Sequence, residues 1–243
     1  MFLYQKKILD NINSIIEIEK ENISTSVDVL INAIENKNSI YCFGASHAGI
    51  ITQELYYRAG GLVVINPIFT SDTMLNELPI TKTSKMEQLE GYGNIIFDSV
   101  GFKKGDILIL HSVSGRNPLI IDMALKAKEN GVITIAITNL TYSKYVESRH
   151  SSGKNLYQIT DYLIDNHGPI GDAIVKVGDR KVGPSSTVAG TFIVNTIVTE
   201  VALRMNNSGE NNIPVFYSAN LDGTVEKNQK IVDYYKDIIH FDF

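Results

Sequence analysis

Tryptophan is missing from the 243 residues, cysteine occurs once and proline six times. A single thiol closes no internal disulfide. Cys42 lies in the apolar run Ile40-Tyr41-Cys42-Phe43 and reads as a small buried hydrophobe. No group of Cys and His has the spacing of a metal-ligand set, so no structural zinc is expected. No run of five or more Lys or Arg occurs, and 22 basic residues stand against 27 acids for a net charge of -5. Nucleic acid and anionic membrane are therefore not expected as partners. The first ten residues carry Lys6, Lys7 and Asp10 where a signal peptide has its apolar core. No run comes near the roughly 18 apolar residues of a membrane span. The expected compartment is the cytoplasm.

What is present is an ordinary globular mixture, 44% apolar and 20% charged. Ile8, Ile12, Ile15, Ile16, Val27, Leu30, Ile31 and Ile34 recur mostly at intervals of three or four, which predicts two amphipathic helices with a break near Asn22–Ser26. Beyond Asn38 come short apolar runs bounded by turn residues: Ile40–Phe43, Leu62–Ile65, Ile95–Phe97, Ile107–Leu110, Val132–Ile137 and Tyr162–Ile164. Continuous rather than alternating runs belong to strands covered on both faces. Helical stretches at His47–Arg58 and Leu119–Asn130 lie between them, and longer ones follow at Ser186–Met205 and Val225–Ile239. Strands alternating with helices predict a doubly wound α/β fold with a parallel sheet. No repeat or linker divides the chain, so one domain over 1–243 is expected, with N-terminal helices over 1–38 and a C-terminal helix over 225–239.

Ligands of such sheets bind beyond the carboxyl ends of the strands. The first loop there is Gly44-Ala45-Ser46-His47-Ala48-Gly49. Ser46 replaces the second glycine of the dinucleotide fingerprint, and Ile50 stands where a nucleotide P-loop has lysine. What remains is a tight turn offering a hydroxyl and amides. The second loop is Ser112-Val113-Ser114-Gly115-Arg116-Asn117-Pro118, with Asn117 suited to the N-cap of a helix, Pro118 to its first position and Gly131 to the residue past its end. Hydroxyls and helix-terminal amides together suit a phosphate dianion without requiring a cation, and Arg116 either adds charge or lies in solvent. Gly183-Pro184-Ser185-Ser186-Thr187 repeats the device before the long helix, which makes Ser185 and Ser186 further phosphate candidates.

Gly44-Ala45-Ser46-His47 and Ser112-Val113-Ser114-Gly115, in this order and spacing, resemble a sugar isomerase (SIS) domain, from about Ser39 to Met205. Glu54–Pro67, Leu89–Tyr92, Ser148–Lys154 and Gly183–Asn195 are similar to one bacterial family of SIS-domain proteins. The resemblance implies a five-stranded parallel core of flavodoxin-like type, a homodimer or homotetramer, and a sugar phosphate held by Ser46, Ser112, Ser114 and Asn117, with Gly115 in the same loop. Many relatives carry Ser or Thr in place of Asn117. Phosphoheptose isomerases resemble the chain at Ser46-His47 and Glu54-Leu55, but where they use a late-helix histidine Asn195 stands. Etherases of muramic acid 6-phosphate resemble it at Ser114–Pro118 and Ala189-Gly190-Thr191, and their two carboxylates fall near Glu54 and near Glu87 or Glu90.

Isomerisation and elimination both begin with removal of a proton beside a carbonyl. Glu54, eight residues past Ser46, is the expected base on a continuous helix, with His47 and Glu90 as partners. Glu87, Glu90 and Leu89 precede the glycine loop Gly91-Tyr92-Gly93, and the basic loop Ser148–Lys154 after the fifth run can reach the ligand or close a subunit interface. His111 ends a strand and suits a core histidine. The expectation is an isomerase that needs no nucleotide or redox cofactor, with a lyase or a non-catalytic sensor as alternatives. No basic helix-turn-helix segment precedes the domain, so a DNA-bound regulator is not expected.

Overall fold

The structure, a computed structural model, describes residues 1–210 and 212–241. Its centre is a five-stranded, all-parallel sheet in the order β2-β1-β3-β4-β5. The strands are β1 (Ile40–Gly44), β2 (Ile65–Pro67), β3 (Ile107–His111), β4 (Ile133–Thr138) and β5 (Tyr162–Asp165). This is the flavodoxin-like order, which leaves a topological switch point between β1 and β3. The period-two alternation of each strand divides the core in two. Ile40, Cys42, Ile107, Ile109, Ile135 and Ile137 face one layer, while Tyr41, Phe43, Leu108, Leu110 and Ala136 face the other.

The first layer is roofed by α1 (Leu3–Ile18), α2 (Lys20–Glu35) and α8 (Ser186–Asn207), the second by α5 (Tyr92–Val100) and α6 (Pro118–Glu129). By length and composition α8 is apolar enough to cross a membrane, which the search for unbroken apolar runs missed because Thr191, Asn195, Thr196 and Thr199 interrupt it. Here its Ala189, Ile193, Val194, Ile197, Val198 and Val201 are buried in the core. The remaining elements are α3 (Ile50–Leu55), α4 (Thr81–Glu87), α7 (Leu140–Tyr145), the hairpin β6 (Ala173–Val177) and β7 (Arg180–Pro184), and α9 (Val225–Tyr235).

Four expectations need correction. Ile95–Phe97 is the middle of α5: Ile96 and Phe97 are buried while Ile95 is exposed, and Gly91 and Gly101, both at positive φ, delimit the helix. Leu62–Val64 is buried but precedes β2, and Leu62 instead bridges Val215. The first two helices break at Glu19 rather than at Asn22–Ser26. The Glu19 carboxylate is drawn inward, accepting from Asn22 Nδ2 at 2.7 Å, His167 Nε2 at 2.8 Å and the Asp165 amide at 3.3 Å, while Ser26 bonds back to the Asn22 carbonyl inside α2. Finally, His47–Arg58 is no single helix. Ser46–Gly49 is a 3-10 turn, and α3 adds only Ile50–Leu55.

Asn66 in the edge strand β2 donates from Nδ2 to the Ile238 carbonyl at 2.9 Å and accepts at Oδ1 from the His240 amide at 2.6 Å, which fastens the segment after α9 to the sheet.

Candidate functional site

A cavity of about 300 Å³ opens at the carboxyl ends of β1 and β3, on the switch point. Ala45, Ser46, His47 and Ala48 line it from one loop, His111 through Ser114 and Asn117 from the other, with Glu87, Tyr142 and Asp172 added from elsewhere. The first loop turns tightly because Gly44 has no side chain: a Cβ there would lie 2.5 Å from the Ala48 carbonyl oxygen. Ser46 sits at φ 55, a left-handed conformation that a non-glycine residue adopts at a cost. In the second loop Gly115, at φ 60, lets the chain lie against Thr138, Ser143 and Leu156.

The hydroxyls of Ser46 and Ser114 have no hydrogen-bond partner among the described residues, and the amides of Ser114, Arg116 and Asn117 likewise donate to none of them. The Ser112 hydroxyl accepts from the Gly115 amide at 3.3 Å. Asn117 is the N-cap residue of α6 in an extended conformation, with Pro118 at the first position and Gly131 at φ 68 beyond the end. Its side chain makes no cap bond. Nδ2 donates to Glu87 Oε2 at 2.9 Å and Oδ1 accepts from Arg149 Nη1 at 3.0 Å. The side-chain amide of this residue therefore ties a carboxylate to a guanidinium at the mouth of the serine loop.

Glu87 is one of two carboxylates that line the cavity, and the other, Asp172, is engaged at the start of α8. Burial pushes the pKa of Glu87 above the usual glutamate range, against the opposing effects of the Asn117 N–H, Arg149 and His47. A raised folded-state pKa means that the fold prefers the protonated acid. That contribution is complete below the unfolded value of about 4.3 and is lost as pH climbs through the folded one. Glu87→Gln is therefore expected to raise the melting temperature relative to the parent more at pH 7.5 than at pH 4. Thermal unfolding across pH measures this, and a pH-independent difference would contradict it.

His111 is buried at the end of β3 and donates from Nδ1 to the Ala48 carbonyl at 2.9 Å, which locks the two loops together. Its Nε2 is buried without a partner among the described residues, and burial lowers its pKa below the ordinary value, so it is only half satisfied as a core histidine.

The structure separates four other candidates, Glu54, Glu90, Ser185 and Ser186, from this cavity. Glu54 lines a different cleft with Phe192, Thr191 and Asn195, accepts from Asn195 Nδ2 at 2.7 Å and pairs with Arg58. Eight residues bring Glu54 to the side of Ser46 only on a regular helix, and the 3-10 turn over Ser46–Gly49 changes the helical phase. Glu90 is turned to the 148–154 loop, accepting from the Ser151 amide at 3.0 Å and from its hydroxyl. Ser185 and Ser186 are not free for a ligand. Asp172 Oδ1 accepts from their amides at 3.1 and 2.7 Å, Oδ2 accepts from Ser186 Oγ at 2.9 Å, and the Asp172 carbonyl accepts from Ser185 Oγ at 2.9 Å. The anion at the start of α8 is thus the chain's own carboxylate. Sequence reasoning missed Asp172 and Tyr142. The usable signal for Asp172 was the turn pair Gly171-Asp172 close before a helix start rich in donors, since Asp tolerates the φ of 70 found there. Among the described residues no cluster of His, Cys, Asp and Glu has the arrangement of a metal site.

A parallel sheet in this order with two serine loops at its switch point defines an SIS domain, and the SIS-domain family model matches residues 3–139. The chain belongs to the UPF0309 family of SIS-domain proteins. It is 49% identical to the UPF0309 protein of Oceanobacillus iheyensis over 98% of this chain and 97% of that one, and 47% identical to that of Shouchella clausii over the same shares. Among solved structures, the phosphoheptose isomerase of Neisseria gonorrhoeae matches with a TM-score of 0.52 and 13% identity, covering 81% of this chain and 93% of its own. The NanR protein of Vibrio vulnificus, complexed with ManNAc-6P, matches with a TM-score of 0.54 and 12% identity over 96% of this chain and 68% of its own. At these identities the two structures share the fold.

Proposed function

We propose that this chain binds a sugar phosphate in the cavity between the two serine loops and isomerises it by proton transfer. The observation that carries the reading is the set of unengaged donors, the Ser46 and Ser114 hydroxyls and the amides leading into α6, facing the same 300 Å³ space as a half-buried carboxyl group. The donors suit a phosphate. The cavity is of a size for one sugar ring or open chain. Glu87 is the base: its raised pKa brings it toward neutral pH, where a carboxylate takes a proton from carbon and returns it most effectively. His47, which also faces the cavity, is placed to serve the sugar oxygens. Proton removal from the carbon beside the carbonyl gives an enediol, and return of the proton to the neighbouring carbon completes an aldose–ketose exchange. No nucleotide or redox cofactor enters these steps.

The binding half of the reading is tested by thermal shift with a panel of sugar phosphates. A ligand at about 100 times its dissociation constant adds roughly 2.7 kcal/mol of stability. Ser114→Ala removes a donor to a charged group and is expected to weaken binding by about 1.5–3 kcal/mol. Unchanged affinity in that variant would refute the assignment.

Glu54 favours a second reading. The residue expected to be the base lies outside the cavity of its own chain. A protein that binds the sugar phosphate and transmits its presence without chemistry needs no base, and NanR, with its bound ManNAc-6P, shows that this fold accommodates such a ligand.

The functional unit proposed is a cytoplasmic homodimer. Leu3, Leu9, Ile16 and Ile18 are exposed along α1, more apolar surface than a free helix face carries. Light scattering at micromolar concentration is expected to give about twice the chain mass of 26.9 kDa. A monomer would contradict the dimer.

A further inference from the structure

The loop from Ser148 to Lys154 is built as a rigid strap. Ser148 Oγ donates to the Lys154 carbonyl at 2.8 Å and accepts from the His150 amide at 3.1 Å, and the Gly153 amide donates to the His150 carbonyl at 3.0 Å. His150 is its anchor. The Ser152 amide donates to Nδ1 at 3.0 Å, which places the ring proton on Nε2, aimed at Asp122 Oδ1 at 3.1 Å. The side chains of His150 and Asp122 are 8% and 3% exposed. Asp122 Oδ2 in turn accepts from the Gly91 and Gly93 amides at 2.7 and 3.3 Å, and Glu90 holds the Ser151 amide at 3.0 Å. The strap is therefore fastened to α6 and to the start of α5 at once.

Arg149, the residue beside that anchor, points the other way. Its amide donates to the Arg116 carbonyl at 2.9 Å and its Nη1 to the cavity residue Asn117 at 3.0 Å. No carboxylate pairs with it within salt-bridge distance among the described residues, yet the cavity itself carries Glu87 and Asp172. A phosphate dianion entering beside two acids gains from a cation at the mouth, and a guanidinium suits its geometry.

We propose that Arg149 is the cation that meets the ligand's phosphate, and that His150 is the positioning residue that holds it at the cavity mouth. The proposal rests on the reading of the cavity as a phosphate site. Calorimetric titration of the full chain with inorganic phosphate and with fructose 6-phosphate tests it. Arg149→Ala is expected to weaken both by tenfold or more, as loss of a charged hydrogen-bond partner does. His150→Ala should weaken them comparably while the Arg149→Ala/His150→Ala pair binds no worse than Arg149→Ala alone, because both act through one guanidinium. A merely structural histidine would instead add its own loss in the double variant. Unchanged affinity in His150→Ala, or additive losses, overturns the positioning role; unchanged affinity in Arg149→Ala overturns the cation. If His150→Ala fails to fold, Ser152→Ala, which removes the hydroxyl 2.8 Å from Nδ1, replaces it, and twofold weakening that vanishes in the Arg149→Ala background is the expected result; undiminished affinity counts against the strap. A parent protein that binds neither probe refutes the phosphate site itself, an outcome distinct from these.

Discussion

Replacing Glu87 by Gln is expected to lower turnover of the cognate sugar phosphate by about 10²–10⁴-fold while affinity stays within a few-fold of the parent. Gln keeps the shape and still accepts from Asn117, so the serine loop is left intact, whereas an amide takes no proton from carbon. Proton removal also has an isotopic signature: in heavy water the parent should move deuterium onto the sugar carbon beside the carbonyl, and Glu87→Gln should not. Mass spectrometry of the recovered sugar phosphate reads this directly. Exchange kept in Glu87→Gln but lost in Glu54→Gln would return the role of base to Glu54, acting on the cavity of a second copy. Absence of exchange for every sugar phosphate that binds would replace the enzyme by the sensor.

The second large effect is on stability. Asp172→Ala removes the acceptor for two amides and a hydroxyl at the buried start of α8, where Ser185 and Ser186 are themselves buried. Each donor left unpaired costs about 1–3 kcal/mol, and the helix loses the charge that complements its dipole. We expect a loss of about 2–4 kcal/mol, which for a chain of this size lowers the melting temperature by roughly 4–16 °C. Asp172→Asn keeps an acceptor and tolerates the left-handed backbone, so its loss should be the smaller. Thermal unfolding of the two variants beside the parent decides this; equal melting temperatures for Asp172→Ala and the parent would show that Ser185 and Ser186 find other partners and are open to a ligand after all.

The parallel sheet was legible because its strands are buried on both faces, and Ile107–Leu110 or Val132–Ile137 has no other stable place in a chain of this length. Ile95–Phe97 misled for the same reason: three apolar residues carry no period, and only the glycines on either side, Gly91 and Gly101, marked a short helix. The hairpin β6–β7 went unread although Gly178-Asp179 is a two-residue turn that follows the apolar, β-branched stretch Ile174-Val175-Lys176-Val177; on the other side Arg180-Lys181 carries no strand signal. At the site, Ser46, His47, Ser112, Ser114 and Asn117 come to line one cavity because they lie in the two loops that leave β1 and β3 at the switch point. Glu54 was misplaced because its position depended on helical phase, which a 3-10 turn alters. The role of Ser185 and Ser186 was hidden by Asp172, whose approach depends on a fold-level contact with the start of α8 that spacing along the chain does not report.

The account turns on where the phosphate of a bound sugar lies. A crystal structure of the protein soaked with fructose 6-phosphate should place the phosphorus between the Ser112–Asn117 loop and the first turn of α6, with oxygens within hydrogen-bond distance of Ser114 Oγ and the amides leading into Pro118. A phosphate resting at the start of α8, or in the cleft beside Glu54 with the serine loops empty, would contradict it.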